Sequence, residues 1–214
     1  MVYDRIPKFR NRIEAAGRLL PYLEKYRKDD GVIMAIPRGS VPMAFHIARH
    51  LQFPLDILMA KKIGFPGNSE FAVGSVSLGG RVLDPRLDVD PDYINLETAR
   101  IRKTLGDQYA LFSGAHQPVP LKGKTVILVD DGIATGYTLL EAVQTVRSQN
   151  PRKIVIAVPV APPRAVEFFR PRVDEIICLH QPADFHAVGQ FYDEFPQVSD
   201  EEVTSLMNAA HAIA

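Results

Sequence analysis

Two adjacent carboxylates, Asp130 and Asp131, are followed almost at once by the small-residue loop Ala134-Thr135-Gly136-Tyr137-Thr138. Carboxylates repel a phosphate at contact range, but they accept hydrogen bonds from neighbouring hydroxyls. A loop leading into a helix presents backbone N–H groups, and those suit an anion. The two halves together describe a ligand with a hydroxyl-bearing part and an anionic end, and a phosphorylated sugar has both. The acid pair without its loop is less specific, since acids at strand ends also cap helices or hold metals.

The elements around this stretch place it where open α/β sheets bind ligands, beyond the C-terminal strand ends. Val126 to Val129 is a continuous apolar run, the pattern of a strand buried on both faces. Leu139, Leu140, Val143 and Val146 recur at helical spacing, and Thr138 with Glu141 forms a capping box that predicts the helix start. A second unit of the same kind runs from the strand Gly31–Ile36 through Pro37-Arg38-Gly39-Ser40 into a helix over Val41–Leu51. Ser40 is its expected N-cap and Pro42 suits the first turn, so a second anion site is expected there. A third strand, Leu55–Ala60, ends in Lys61-Lys62 and an irregular, mobile loop over residues 63–70. Strand alternation lets only one of the two lysines readily face the ligand side. Phe71–Ser77 and Arg81–Leu83 read as a hairpin turned at Gly79-Gly80, with Glu70 near its root as a candidate to act on a substrate.

Size and charge bound the rest. The chain has 214 residues, 46% of them hydrophobic, which suits one domain with a real core. Lys+Arg and Asp+Glu are both 25, a net charge of +0, so no global basic field draws the protein to nucleic acid or a membrane surface. The single cysteine, Cys178, lies in an apolar run and is expected to pack as a small hydrophobe. No signal-peptide core or membrane-length run is present, so a cytoplasmic protein is expected. An amphipathic helix is expected over Phe9–Arg27, bent or broken at Pro21. A charged helix over Tyr93–Leu111 has no evident role beyond an oligomer contact or a lid. Further strands over Lys153–Val160 and Val173–Leu179, a short helix over Arg164–Phe169 and a terminal helix capped by Ser199 complete the chain. The alternation predicts an α/β fold: an open, mainly parallel twisted sheet with helices on both faces. One domain is expected over residues 1–214, with a core over about 30–179, a mobile loop or insertion over about 63–122, and a hood with C-terminal helix over about 180–214.

The stretch V-I-L-V-D-D-G-I-A-T-G-Y-T resembles the phosphoribosyl-pyrophosphate (PRPP) signature of the type I phosphoribosyltransferases. The resemblance implies that Asp130 and Asp131 hold the ribose 2- and 3-hydroxyls and lie at the Mg²⁺ site. It implies that Ala134, Thr135, Gly136, Tyr137 and Thr138 cup the 5-phosphate. Pro37 to Ser40 then corresponds to the pyrophosphate loop, where Arg38, Gly39 and Ser40 meet the leaving group and a non-proline cis peptide often occurs. K-K-I-G-F-P-G is similar to the segment entering the active-site loop in adenine-type members, which gives Lys61 or Lys62 a leaving-group role. Residues 180–197 correspond to the hood over the base, with Phe185 as the aromatic to stack on it.

The activity implied is Mg²⁺-dependent transfer of a phosphoribosyl group from PRPP to a nitrogenous base with release of pyrophosphate, in nucleotide metabolism. A non-catalytic sensor of PRPP or nucleotides, using the same pocket, is the alternative. Ala134 stands where members acting on 6-oxopurines usually carry an acid, which makes hypoxanthine and guanine poorer acceptors. Gly132 and Tyr137 also differ from the commoner residues. Over nearly its full length the chain is similar to a bacterial group of predicted phosphoribosyltransferases of unsettled acceptor. Expected partners are PRPP, pyrophosphate and a base, with a homo-oligomer possible.

Overall fold

The computed structural model describes residues 8–84, 86–114, 116–134 and 136–212. The chain runs α1 (Arg12–Leu23), β1 (Gly31–Ala35), α2 (Val41–Leu51), β2 (Leu55–Ile57), β3 (Ala60–Phe65), β4 (Asn68–Ser77) and β5 (Arg81–Leu83). It continues with α3 (Pro91–Ser113), β6 (Thr125–Val129), α4 (Tyr137–Arg147), β7 (Lys153–Val160), α5 (Pro163–Phe169), β8 (Glu175–His180) and α6 (Asp200–His211).

Five strands form one parallel sheet in the order β2-β1-β6-β7-β8. Its central strands β1 and β6 are buried at every position, and β7 at every position after Lys153, because both faces are covered. Ile33, Ala35, Ile127, Val129, Val155 and Ala157 point to the side packed by α1, α2 and α6. Val32, Met34, Val126, Leu128, Ile154 and Ile156 point to the side packed by α4 and α5. Pairing in register (Val32 with Val126, Val126 with Ile154) keeps each set on one face. The expected α/β architecture is therefore the one observed. Because β1 and β6 are neighbours, the two strand–loop–helix units deliver their loops side by side at one sheet edge.

The segment after β2 differs from expectation. The strand stops at Ile57, and β3 begins a separate antiparallel sheet in the order β3-β4-β5. Residues 63–70, expected as an irregular loop, belong instead to the β3–β4 hairpin, turned at Pro66-Gly67 with Gly67 at φ +79. Only glycine adopts that backbone conformation at little steric cost. The β4–β5 turn falls at Gly79-Gly80 as expected, with Ser77 N–H donating to Gly80 C=O at 3.0 Å. Pro21 does not break α1: the helix passes through it to Leu23 and tightens into a 3-10 turn over Glu24–Tyr26. The helix α3 packs on β3, β4 and α6, so it ties the small sheet to the C-terminal helix.

The hood is irregular, with a 3-10 turn over Val188–Phe191. The start of the described chain straps it down: Phe9 N–H donates to Phe191 C=O at 2.8 Å, Asp193 N–H to Phe9 C=O and Glu194 N–H to Arg10 C=O, both at 2.9 Å. Ser199 caps α6 by accepting from Glu202 N–H at 3.2 Å. Among the described residues no helix is long and apolar enough to cross a membrane.

Candidate active site

The acid pair sits at the C-terminal end of β6, half-buried, between the loop after β1 and the hood. Asp130 Oδ1 accepts from Asp131 N–H at 2.9 Å. Asp131 Oδ2 accepts from Arg12 Nε at 2.9 Å, and Tyr192 OH donates to the Asp131 carbonyl at 2.7 Å. Among the described residues these bonds use one oxygen of each carboxylate and leave Asp130 Oδ2 and Asp131 Oδ1 for a ligand. Burial pushes both carboxyls above the ordinary range; the Asp131 charge pushes Asp130 further up, while Arg12 opposes the rise at Asp131.

Arg12 was not legible as a site residue, because on the helix pattern it is one polar position of an amphipathic segment. It is nevertheless 8% exposed. Its Nη1 donates to Pro196 C=O at 2.6 Å, and its guanidinium carbon lies 3.8 Å from the centre of the Phe195 ring. Two glycines make room for the arrangement. A Cβ on Gly39 would stand 2.4 Å from Asp131 Oδ2, and one on Gly132 would stand 2.7 Å from Val188 Cγ1 and 2.9 Å from Val160 Cγ1. Gly132 therefore answers to Val188 of the hood.

Two clefts meet at Arg38. One, of about 450 Å³, is lined by Pro37, Arg38, Lys61, Gln108, Thr138 and Asp200 among others. The other, of about 440 Å³, is lined by Arg12, Arg38, Gly39, Asp131, Val188 and Phe195 together with residues 196–198. The loop after β1 thus borders both, and its Pro37–Arg38 peptide bond is cis. Arg38 Nη1 donates to Asp200 Oδ1 at 3.1 Å. Ser40 is buried and turns its hydroxyl back to donate to Ile36 C=O at 2.6 Å. It precedes α2 without a side-chain cap bond, so its hydroxyl shapes the loop rather than capping the helix.

Of the lysine pair, Lys61 lines the first cleft. Lys62 is close enough to Glu141 on α4 to oppose the rise of that carboxyl, which burial pushes up to about 7. The helix α4 starts one residue before the expected Thr138, with Gly136 as N-cap at φ +79 and no side-chain cap bond. Thr138 is exposed, as is Ala134, and the capping box does not form as the spacing suggested. Thr135 and the side chains of Glu70 and Tyr137 lie outside the described residues. Phe185 stacks on Phe191 with ring centres 5.2 Å apart and lines neither cleft. Phe195 is the aromatic at the second cleft, with Arg12 over its face and Tyr192 4.8 Å away. No sequence signal separated it from its aromatic neighbours.

A divalent cation has few protein ligands to draw on. Among the described residues no group of three or more His, Cys, Asp or Glu side chains could hold a metal. The two remaining carboxylate oxygens fit an ion that keeps water and takes substrate phosphate oxygens, as Mg²⁺ does. They do not fit one that needs a protein cage.

Strand-end acids, a glycine-capped helix start and a second loop bearing a cation meet at one edge of the parallel sheet. The chain belongs to the phosphoribosyl transferase domain family, whose model matches residues 3–195. It is 36% identical over 208 residues to the Mycobacterium tuberculosis protein named "Putative phosphoribosyl transferase Rv0571c". That match covers 95% of this chain and 47% of the relative, so the chain spans about half the length of the curated relatives it matches. The crystal structure of TT1426 from Thermus thermophilus is similar at TM-score 0.84 and 39% identity, covering 94% of this chain and 97% of that one. The AQ2163 protein from Aquifex aeolicus shares the fold at TM-score 0.50 and 13% identity, over 92% of this chain and 85% of that one.

Proposed function

We propose that this chain is a phosphoribosyltransferase that moves the 5-phosphoribosyl group of PRPP to a nitrogenous base and releases pyrophosphate. The observation that carries the reading is the pairing, among the described residues, of two half-satisfied carboxylates with a helix start whose N-cap is a glycine and makes no side-chain bond. The remaining oxygens of Asp130 and Asp131 accept from the ribose 2- and 3-hydroxyls. The loop 134–138 takes the 5-phosphate, with the amides at the start of α4 directed at its oxygens. The pyrophosphate lies along Pro37 to Gly39, within reach of Arg38 and Lys61.

In the reaction, a ring nitrogen of the base bonds to the anomeric carbon as the bond from that carbon to the pyrophosphate oxygen breaks. The bonding pair leaves with pyrophosphate, and the sugar passes through an oxocarbenium-like state. Arg38 and Lys61 stabilise the charge that develops on the leaving oxygen. Arg38 must exchange Asp200 for the pyrophosphate to do so. Asp130 or Asp131, with phosphate oxygens and water, would hold Mg²⁺, which would supply further neutralisation of the leaving group. The base enters beneath the hood beside Phe195, the aromatic that borders the second cleft. The absence of an acid at Ala134 favours acceptors other than 6-oxopurines.

The test is a screen for pyrophosphate release from PRPP and Mg²⁺ across nitrogenous bases, with Asp130→Asn/Asp131→Asn as control. Base-dependent release that the double variant loses supports the reading. PRPP binding by calorimetry without release on any base would shift it to sensing, and no PRPP binding at all would remove it.

A further inference from the structure

We infer that Arg12, on the first helix, is a positioning residue of the sugar site: it fixes the orientation of Asp131 and couples that carboxylate to the hood. The inference rests on the phosphoribosyl reading of the acid pair. Arg12 divides its guanidinium between the acid pair and the hood: Nε donates to Asp131 Oδ2 at 2.9 Å, Nη1 donates to the Pro196 carbonyl at 2.6 Å, and the guanidinium carbon lies 3.8 Å from the centre of the Phe195 ring. The ion pair is not a surface pair, since the two side chains keep only 10% and 14% of their exposure. A planar fork that donates in two directions and stacks on an aromatic is a task for arginine that lysine does not perform.

The consequence concerns which oxygen the sugar meets. With Oδ2 tied to Arg12, the carboxylate cannot rotate freely, and Oδ1 is the oxygen left to accept from a hydroxyl. Gly39 closes the other side, because even a methyl group there would overlap Asp131 Oδ2 at 2.4 Å. Through Pro196 and Phe195 the same guanidinium holds the hood over the sugar, so the diol grip and the cover above it move as one body. The Tyr192 hydroxyl, donating to the Asp131 carbonyl at 2.7 Å, is a second tie between the same two parts.

The experiment measures calorimetric affinity for three probes, ribose 5-phosphate, PRPP and pyrophosphate, on wild type and on Arg12→Gln, Arg12→Lys and Arg12→Ala. Only the first two probes carry the diol. Arg12→Gln is expected to lose about tenfold or more on ribose 5-phosphate and PRPP, the scale of one charge-assisted hydrogen bond. Its affinity for pyrophosphate should stay within about twofold of wild type, well under the change that one hydrogen bond makes. Arg12→Lys is expected to fall between Gln and wild type, and millimolar guanidinium to restore part of the lost affinity of Arg12→Ala. Should Arg12→Ala fail to fold, the Gln and Lys variants carry the test. Undiminished ribose 5-phosphate affinity in a folded Gln variant overturns the inference. So does an equal loss on all three probes that follows a fall in melting temperature, which is what a merely structural residue would give. Failure of the wild-type protein to bind ribose 5-phosphate or PRPP instead overturns the functional reading.

Discussion

Gly132→Ala is the smallest change that would pry the hood from the acid pair, and its cost can be worked from three distances. The added Cβ would meet Val188 Cγ1 at 2.7 Å, Val160 Cγ1 at 2.9 Å and Val188 Cγ2 at 3.0 Å. Carbon atoms prefer about 3.5–4.0 Å, so each approach is short by roughly half an ångström to an ångström. Val160 lies in β7, fully buried and hydrogen-bonded into the sheet, and it does not yield. Val188 stands half-buried in the 3-10 turn of the hood, so the hood gives way. Overpacking of this kind costs about 1–3 kcal/mol. For a domain of this size that lowers Tm by roughly 2–12 °C, at about 2–4 °C per kcal/mol.

The control is Val188→Ala, which removes the 2.7 and 3.0 Å contacts together. On its own it loses packing; combined with Gly132→Ala it should cost less than the sum of the two, with a coupling of about 0.5–3 kcal/mol. Urea unfolding of the four proteins measures all terms. A Gly132→Ala variant melting within about 1 °C of wild type, below the shift that 1 kcal/mol would give, would refute the packing argument. Strict additivity in the double variant would refute the assignment of the clash to Val188.

Three further outcomes follow. Arg38→Ala should weaken pyrophosphate binding more than 5-phosphate nucleotide binding, while Asp200→Asn, by freeing Arg38 from its 3.1 Å ion pair, should strengthen pyrophosphate binding; calorimetry on both variants checks this, and weaker binding in Asp200→Asn would show the carboxylate to assist. Glu141 titrates at about 7 in the folded protein against 4.5 for the free side chain. A raised folded value stabilises fully below the unfolded one and is lost as pH rises through the folded one, so stability should fall between about pH 4.5 and 7 and Glu141→Gln should flatten that fall in urea titrations. Burial pushes the Cys178 thiol up to about 11, so a thiol reagent at pH 7 should label it in denaturant and leave it slow to react in the native protein.

The sequence was most informative where one local pattern served both fold and site. Val126 to Val129 reads as a buried strand because every position is apolar, and the acids that end it can only lie at the ligand edge of a parallel sheet. The loop Pro37 to Ser40 was placed for the same reason. The sequence is silent where the outcome depends on partners distant in the chain. Residues 63–70 look irregular because Gly, Pro and Asn punctuate them, yet β3 finds a partner in β4 and the punctuation becomes a tight turn. Ser40 looks like a cap, but its buried hydroxyl reaches the Ile36 carbonyl first. Phe185 and Phe195 are indistinguishable by type, and only the path of the hood sends one to Phe191 and the other to Arg12.

Residue 132, next to the acids, is a glycine because the hood lies directly against it. Three contacts bind the end of β6 to the hood: Arg12 bridging Asp131 to Pro196, Tyr192 on the Asp131 carbonyl, and Val188 against Gly132. The first two need the backbone at 131 to lie close under residues 188–196, and at that distance a side chain at 132 has nowhere to go. A larger residue there would demand a smaller one at 188 or a hood set further out, and a hood set further out would take the Pro196 carbonyl away from Arg12. The identity of residue 132 is thus fixed by a helix more than a hundred positions before it and a turn more than fifty after it. A compensating pair at 132 and 188 should therefore preserve the Arg12 contacts, whereas a change at 132 alone should loosen Asp131 even though it touches neither the carboxylate nor the arginine.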